Sequence, residues 1–299
     1  MGRDSGKSEE DSFVARPAGP TSGRVHLGKV LEKMREDLGL SREEVAERLG
    51  FAVSKLWRVE GGKTGLTNKD DLPNLLDLYG VTDEETIEEL TKIQRESLSA
   101  GWWVPYNPHL LKGMRDYVGL ETDAIAISAW QPTLVFGLLQ TPAYTRALLE
   151  SAKGPDELTT PFIDANVDLR QSRKALVTRD APRELWVIMA EGAVRDTIGS
   201  AEVMAEQREE IARLAGLDHI TIQILPATAT GYRASQNFAL LDLEEPLTRM
   251  LQADHVNGQL WVTDKKPDVG KFSRRFDALR AAALDPSETP KVLKSLERK

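Results

Sequence analysis

From Val25 onward, apolar residues recur at helical intervals: Leu27, Val30, Leu31, Met34 and Leu38 fall on one face, and Gly39 ends the pattern. Ser41 with Glu44 three residues later has the form of a capping box. It starts a short helix with Val45, Ala46 and Leu49 inward, which Gly50 closes. A third short helix is predicted from about Val53 to Glu60, with Leu56 and Val59 inward and Gly61 and Gly62 behind it. A fourth, over 69–79, buries Leu72, Leu75, Leu76 and Leu78; Pro73 fits only near its first turn. A further helix covers 83–100. The spacing therefore predicts an all-α bundle over 23–82 and a connecting helix over 83–100.

After Gly101 the texture changes. Trp102, Trp103, Pro105, Tyr106 and Pro108 form an aromatic and proline junction. Helical periodicity follows at 109–118, 141–152, 157–178, 200–215, 268–284 and 289–298. Strand-like runs lie at Glu184–Ala190, Ile220–Leu225, Phe238–Leu243, Met250–Val256 and Gln259–Thr263. The first two strands flank the 200–215 helix as a βαβ unit, so they are expected to be parallel. Short connections make the later strands an antiparallel meander, with Asn257-Gly258 as a hairpin turn. The expected fold class is multidomain: a helix-turn-helix bundle, then a larger α/β or α+β domain over 101–299 with a mixed sheet of about five strands. Residues 1–22, polar and rich in Gly, Ser and Pro, are expected to be a flexible tail.

Composition narrows the chemistry. Of 299 residues, 40% are hydrophobic and 22 are glycine, the balance of a globular chain rather than a fibrous or disordered one. The absence of cysteine excludes disulfides, thiolate catalysis and cysteine zinc sites. His26, His109, His219 and His255 are scattered without ligand spacing, so no metal and no cofactor is expected. The run Leu185–Ala190 is far shorter than the ~20 residues a membrane span needs, and the charged start lacks a signal peptide's apolar stretch. A cytoplasmic protein with no membrane partner is expected. Net charge is −8. Residues 1–20 carry −1 and 21–80 balance, so the acidic excess lies beyond the bundle; from Gly50 to Lys69 there are four basic residues and one acidic.

The chemistry concentrates in 41–63, SREEVAERLGFAVSKLWRVEGGK: two short helices, a glycine turn, and small Ala46 where helices are expected to cross. This is helix-turn-helix spacing, whose second helix enters the DNA major groove. Opposite Leu56 and Val59, the residues Val53, Ser54, Lys55, Trp57 and Arg58 are the candidate base contacts. Lys29, Arg42 and Lys63 are the candidate phosphate contacts. Val53 offers nothing but contact to a thymine methyl, whereas Lys55 has the chemistry to reach guanine. Arg58 has a second reading as a brace through Glu44.

The segment resembles the lambda-repressor-like, Xre-type helix-turn-helix family through Leu40, Ser41, Glu43, Glu44, Ala46, Leu49, Gly50, Ser54, Arg58, Val59, Glu60 and Gly62. It departs where Ala52 replaces a capping Ser, Val53 a base-reading Gln, and Trp57 a small residue; the alanine cap weakens the helix start by ~1 kcal/mol. Downstream, GWWVPY, YVGLETDAIAISAWQPTLVFGLLQTPAYTRALL, DLRQSRKALVTRDAPRELWVIMAEGAVRDTIG, ITIQILP and FSRRFDALRAAAL resemble the DUF5753 domain of actinobacterial regulators. The resemblance implies a transcription factor on double-stranded DNA, often encoded beside a small DUF397-like protein partner. A two-fold operator implies a homodimer.

Other readings stay open. The departures at Ala52, Val53 and Trp57 suit a protein-interaction hub with weak DNA binding, and an α/β second domain suits a regulator sensing a small-molecule effector. Arg170, Arg173 and Lys174 on one helix have the look of a phosphate site. Asp254-His255 invites a catalytic reading, but no G-x-S-x-G or glycine-rich nucleotide fingerprint accompanies it, so no enzyme is expected.

Overall fold

The computed structural model describes residues 19–254 and 259–296. They fall into two units, one running to Trp102 and taking in Leu243–Thr248, the other Trp103–Asp242 with 249 onward.

The first unit is a five-helix bundle: α1 (Pro20–Asp37), α2 (Arg42–Leu49), α3 (Val53–Glu60), α4 (Asp71–Leu78) and α5 (Glu84–Ser97). Leu31, Val45, Leu56, Leu72, Leu75 and Leu90 meet in one core. Two expectations change here. The tail assigned to 1–22 overlaps α1, which starts at Pro20 with Thr21 and Ser22 already buried; Pro at the first helical position lacks only an N–H that would have no partner there. Residues 1–18 lie outside the described set. The helix over 83–100, expected as a connector, is a member of the bundle, because Leu90 and Ile93 sit in the same core.

In the second unit, six strands form one sheet in the order β3-β2-β1-β4-β5-β6. They are β1 (Ala126–Gln131), β2 (Glu184–Ala190), β3 (Ile220–Leu225), β4 (Phe238–Asp242), β5 (Met250–Asp254) and β6 (Leu260–Thr263). β1, β2 and β3 run parallel, and β4 to β6 add antiparallel neighbours. The expected parallel pair and meander are both present. The turn proposed at Asn257-Gly258 lies outside the described residues.

The sixth strand, β1, was not expected. Its sequence AISAWQ has one β-branched residue and follows a helical pattern directly. It forms because it is a central strand, where Ala129 and Trp130 are fully covered and small residues let both faces pack closely.

On one face Trp130, Ile188, Leu240 and Leu251 pack with Phe276 and Leu279 of α11 (Lys266–Ala282). The alternate residues Leu185, Val187 and Met189 are buried on the other face. The connections to that face hold α7 (Pro142–Ser151), α8 (Thr160–Thr178), α9 (Glu191–Arg195) and α10 (Ala201–Leu214). At the β3 edge, Leu284 donates from its backbone N–H to Ile224 O (3.0 Å) and Thr289 Oγ1 to Ile222 O (2.6 Å).

The helix expected over 109–118 is displaced. A 3-10 turn occupies Val104–His109, and α6 spans Met114–Asp123. Gly113 explains the start: its φ is +86° and a Cβ there would stand 2.4 Å from Leu260 O, so glycine alone turns the chain at that point.

Candidate nucleic-acid interface

The helix-turn-helix is built locally first. Ser41 Oγ accepts from Glu44 N (3.2 Å) and Glu44 Oε2 accepts from Ser41 N (2.7 Å), the reciprocal cap foreseen in the sequence. The Ser41 hydrogen bonds, backbone first, hold the Glu44 carboxyl below its usual range. Gly50 then turns the chain at φ +66°. Ala52 caps α3 without a side-chain bond.

α3 is positioned from its inner side by three contacts. First, at Gly28 a Cβ would come within 2.4 Å of Val59 O and 2.6 Å of Glu60 O, so α1 and α3 cross backbone to backbone. This α1–α3 crossing is additional to Ala46 on α2, which is buried as well. Second, Arg24 Nε donates to Gly62 O at 2.7 Å, fastening the end of α3 to α1. Third, the Glu60 carboxylate, fully buried, accepts from Arg35 Nε (2.7 Å), Arg35 Nη2 (3.0 Å) and Arg42 Nε (2.5 Å). Arg42 also reaches Glu32 Oε1 at 2.5 Å, and Arg35 Nη1 reaches Leu40 O at 2.8 Å. One acid therefore ties three helices. Its bond to Arg35 raises the Arg35 pKa. The brace differs from the Arg58–Glu44 alternative: Glu44 serves the cap, and Arg58 is exposed. The signal was present in the sequence, since Glu60 is an acid on the inward face of α3 and demands a buried cation.

Steps of 100° along α3 put Leu56, Val59 and Glu60 inward. Ser54 and Arg58 point most directly outward. Trp57 and Val53 form a stripe on one flank and are 57% and 40% exposed. Lys55 lies on the other flank. Its ammonium sits 2.7 Å from Asp71 Oδ2, on α4, and 4.0 Å from the centre of the Phe51 ring. Of the five candidate base contacts, four are exposed and Lys55 is drawn down against the bundle.

The candidate phosphate contacts are differently placed. Lys63 is exposed after α3; Arg42 is committed to Glu60 and Glu32; Lys29 is partly buried, and burial lowers its pKa against the opposing pull of Glu32. Next to Lys29, the His26 ring is 4% exposed and its Nε2 has no hydrogen-bond partner among the described residues. Burial, helped by the Lys29 charge, brings the His26 pKa down to about 4.

The other clusters raised by the sequence resolve into internal pairs. Arg173 donates to Glu121 through Nε (2.7 Å) and Nη2 (2.8 Å), with the Tyr117 hydroxyl on the same carboxylate (2.7 Å). Lys174 pairs with Glu210 at 2.5 Å, and Arg170 donates to Gln140 Oε1. The three bases make no shared phosphate cradle. A cleft of about 680 Å³ beside them is lined by Gln171, Lys174, Glu206, Glu210 and Arg213, where Lys174 and Arg213 both pair with Glu210. The Asp254 carboxylate accepts from Asn237 Nδ2 (2.7 Å) and Gln252 Nε2 (2.6 Å); His255 lies outside the described residues. Among the described residues, no helix is long and apolar enough to cross a membrane and no metal-holding group of acids and histidines occurs.

A family described as a helix-turn-helix domain matches residues 26–90, and the domain of unknown function DUF5753 matches residues 114–295. No curated protein and no solved structure matches the chain.

Proposed function

The chain belongs to the DUF5753 family, and from that premise we propose that it is a sequence-specific transcriptional regulator whose α3 reads the major groove. The helix-turn-helix domain supports a DNA-binding regulator. The observation that carries the finer reading is the division of labour on α3. Its inner side is locked by Gly28, Arg24 and the buried Glu60, while Ser54, Trp57 and Arg58 face solvent on a groove-sized helix.

In this reading residues 23–82 form the DNA-binding part. Arg58 and Ser54 contact base edges, with Val53 and Trp57 beside them. Lys63 meets phosphate; Arg42 and Lys29 reach the backbone only as far as their internal partners release them. A lone module of this size makes few contacts, so the regulator acts as a homodimer on a two-fold site with half-sites about one helical turn apart. The 101–299 region modulates binding or recruits a partner rather than catalysing a reaction, and the protein works in the cytoplasm at the nucleoid. The test is full-length binding to duplex DNA at about 50 and about 200 mM salt. A steep fall with salt is expected, and Arg58→Glu should weaken binding at least about tenfold with an unchanged circular dichroism spectrum. Undiminished binding by that variant would remove α3 from the interface.

A second reading rests on Trp57 and Val53, exposed apolar residues on the presenting helix. They suit a protein partner such as a small DUF397-like protein. Co-purification of a stoichiometric small protein that Trp57→Ala abolishes, without salt-dependent DNA affinity, would favour it.

A further inference from the structure

Resting on the reading of α3 as a DNA-reading helix, we propose that it selects its site by contact with thymine methyl groups, through the Val53–Trp57 stripe, alongside one polar contact from Arg58. Four observations lead there. Val53 and Trp57 are one turn apart and both exposed, so they present a continuous apolar strip along the helix flank. The strip adjoins Arg58, an exposed cation suited to guanine or phosphate. Lys55, the other cation of the helix, is withdrawn to Asp71 and the Phe51 ring and does not compete for the groove. No carboxamide stands at any of the outward positions 53, 54, 57 or 58, so the bidentate adenine contact has no donor–acceptor pair.

In the major groove, the only apolar feature a base pair offers is the thymine 5-methyl. Two flank side chains spaced by one helical turn match methyls on neighbouring base pairs. The same strip is too small to hold a protein by itself. Val53 and Trp57 together present at most about 250 Å², against the ~800 Å² that each partner contributes to a specific protein interface. Its setting beside an exposed guanidinium, on a helix whose one acid is buried, is complementary to a polyanion.

The experiment is selection of duplexes from a random pool by the full-length protein. The selected sequence is then resynthesised with uracil replacing each thymine in turn, which removes the methyl and keeps the base-pairing edge. We expect one or two thymines per half-site whose uracil forms bind about fourfold less tightly each, the value of one buried methyl group. Trp57→Ala, at an exposed position, should bind the parent duplex weakly and lose the distinction between thymine and uracil. If a sequence is selected but every uracil form binds within twofold of the parent, methyl reading is overturned while the DNA-reading helix stands. If no sequence is selected and binding has no salt dependence, the underlying reading falls and this inference falls with it. Selection of a stoichiometric protein through Trp57 without enrichment of any duplex would overturn both.

Discussion

His26 shows how much one buried side chain can dictate. Its imidazole is enclosed between α1 and its neighbours with a pKa near 4, so the folded bundle holds it neutral. In the unfolded chain it titrates near 6.5, so between those values the unfolded state binds the extra proton. Stability is therefore complete above about pH 6.5 and is lost as pH falls toward 4. Urea titrations at pH 7.5 and 4.5 should differ by about 1–3 kcal/mol more for the native sequence than for His26→Gln. An equal pH response in the two proteins would show the ring is not enclosed. Glu60 dictates as much by geometry: its buried carboxylate accepts from two guanidinium groups, and its removal would strand both.

At the level of elements, α3 and α4 are linked by charge. Asp71 opens α4 and captures Lys55 across the gap. Asp71→Asn releases that ammonium, so salt-dependent duplex binding should steepen by about one in the slope of log affinity against log salt, with weaker preference for the selected sequence. An unchanged slope would mean that Lys55 already turns to DNA on binding.

The elements themselves were unevenly legible. The helices of the bundle followed from i, i+3, i+4 spacing and from caps at Ser41 and Gly50, because those signals are local. β1 was not legible: Ala126, Ser128 and Ala129 are poor strand formers, and only the flanking β2 and β4 make them a strand. The outward set on α3 could be listed from the sequence, whereas the capture of Lys55 depends on Asp71, sixteen positions on, and the Arg35–Glu60–Arg42 clamp depends on three separate helices.

Across the whole molecule, much of the acidic excess falls on α5 of the bundle, which carries five acids and two bases, and the second unit is marked instead by an ion pair buried in its apolar interior. Its buried anchor is Glu121 with Arg173 and Tyr117. Desolvation and the Glu121 charge hold the Tyr117 hydroxyl protonated well above its usual range. Glu121→Gln leaves an enclosed guanidinium without its counter-charge and should destabilise that unit by about 3 kcal/mol in denaturant. Every support of α3 described above comes from the first unit. Duplex affinity should therefore survive the substitution under conditions where the protein remains folded. A parallel loss of affinity would reveal that the large unit sets the geometry of the small one.

The main-chain seat at Gly28 has an evolutionary corollary. A helix carried by its neighbour's peptide backbone and one interior acid asks nothing structural of its outer residues. Positions 53, 54, 57 and 58 can be rewritten without repacking anything beneath them. Descendants of this gene are thus at liberty to acquire new targets by point substitution, while any replacement of Gly28 is closed to them.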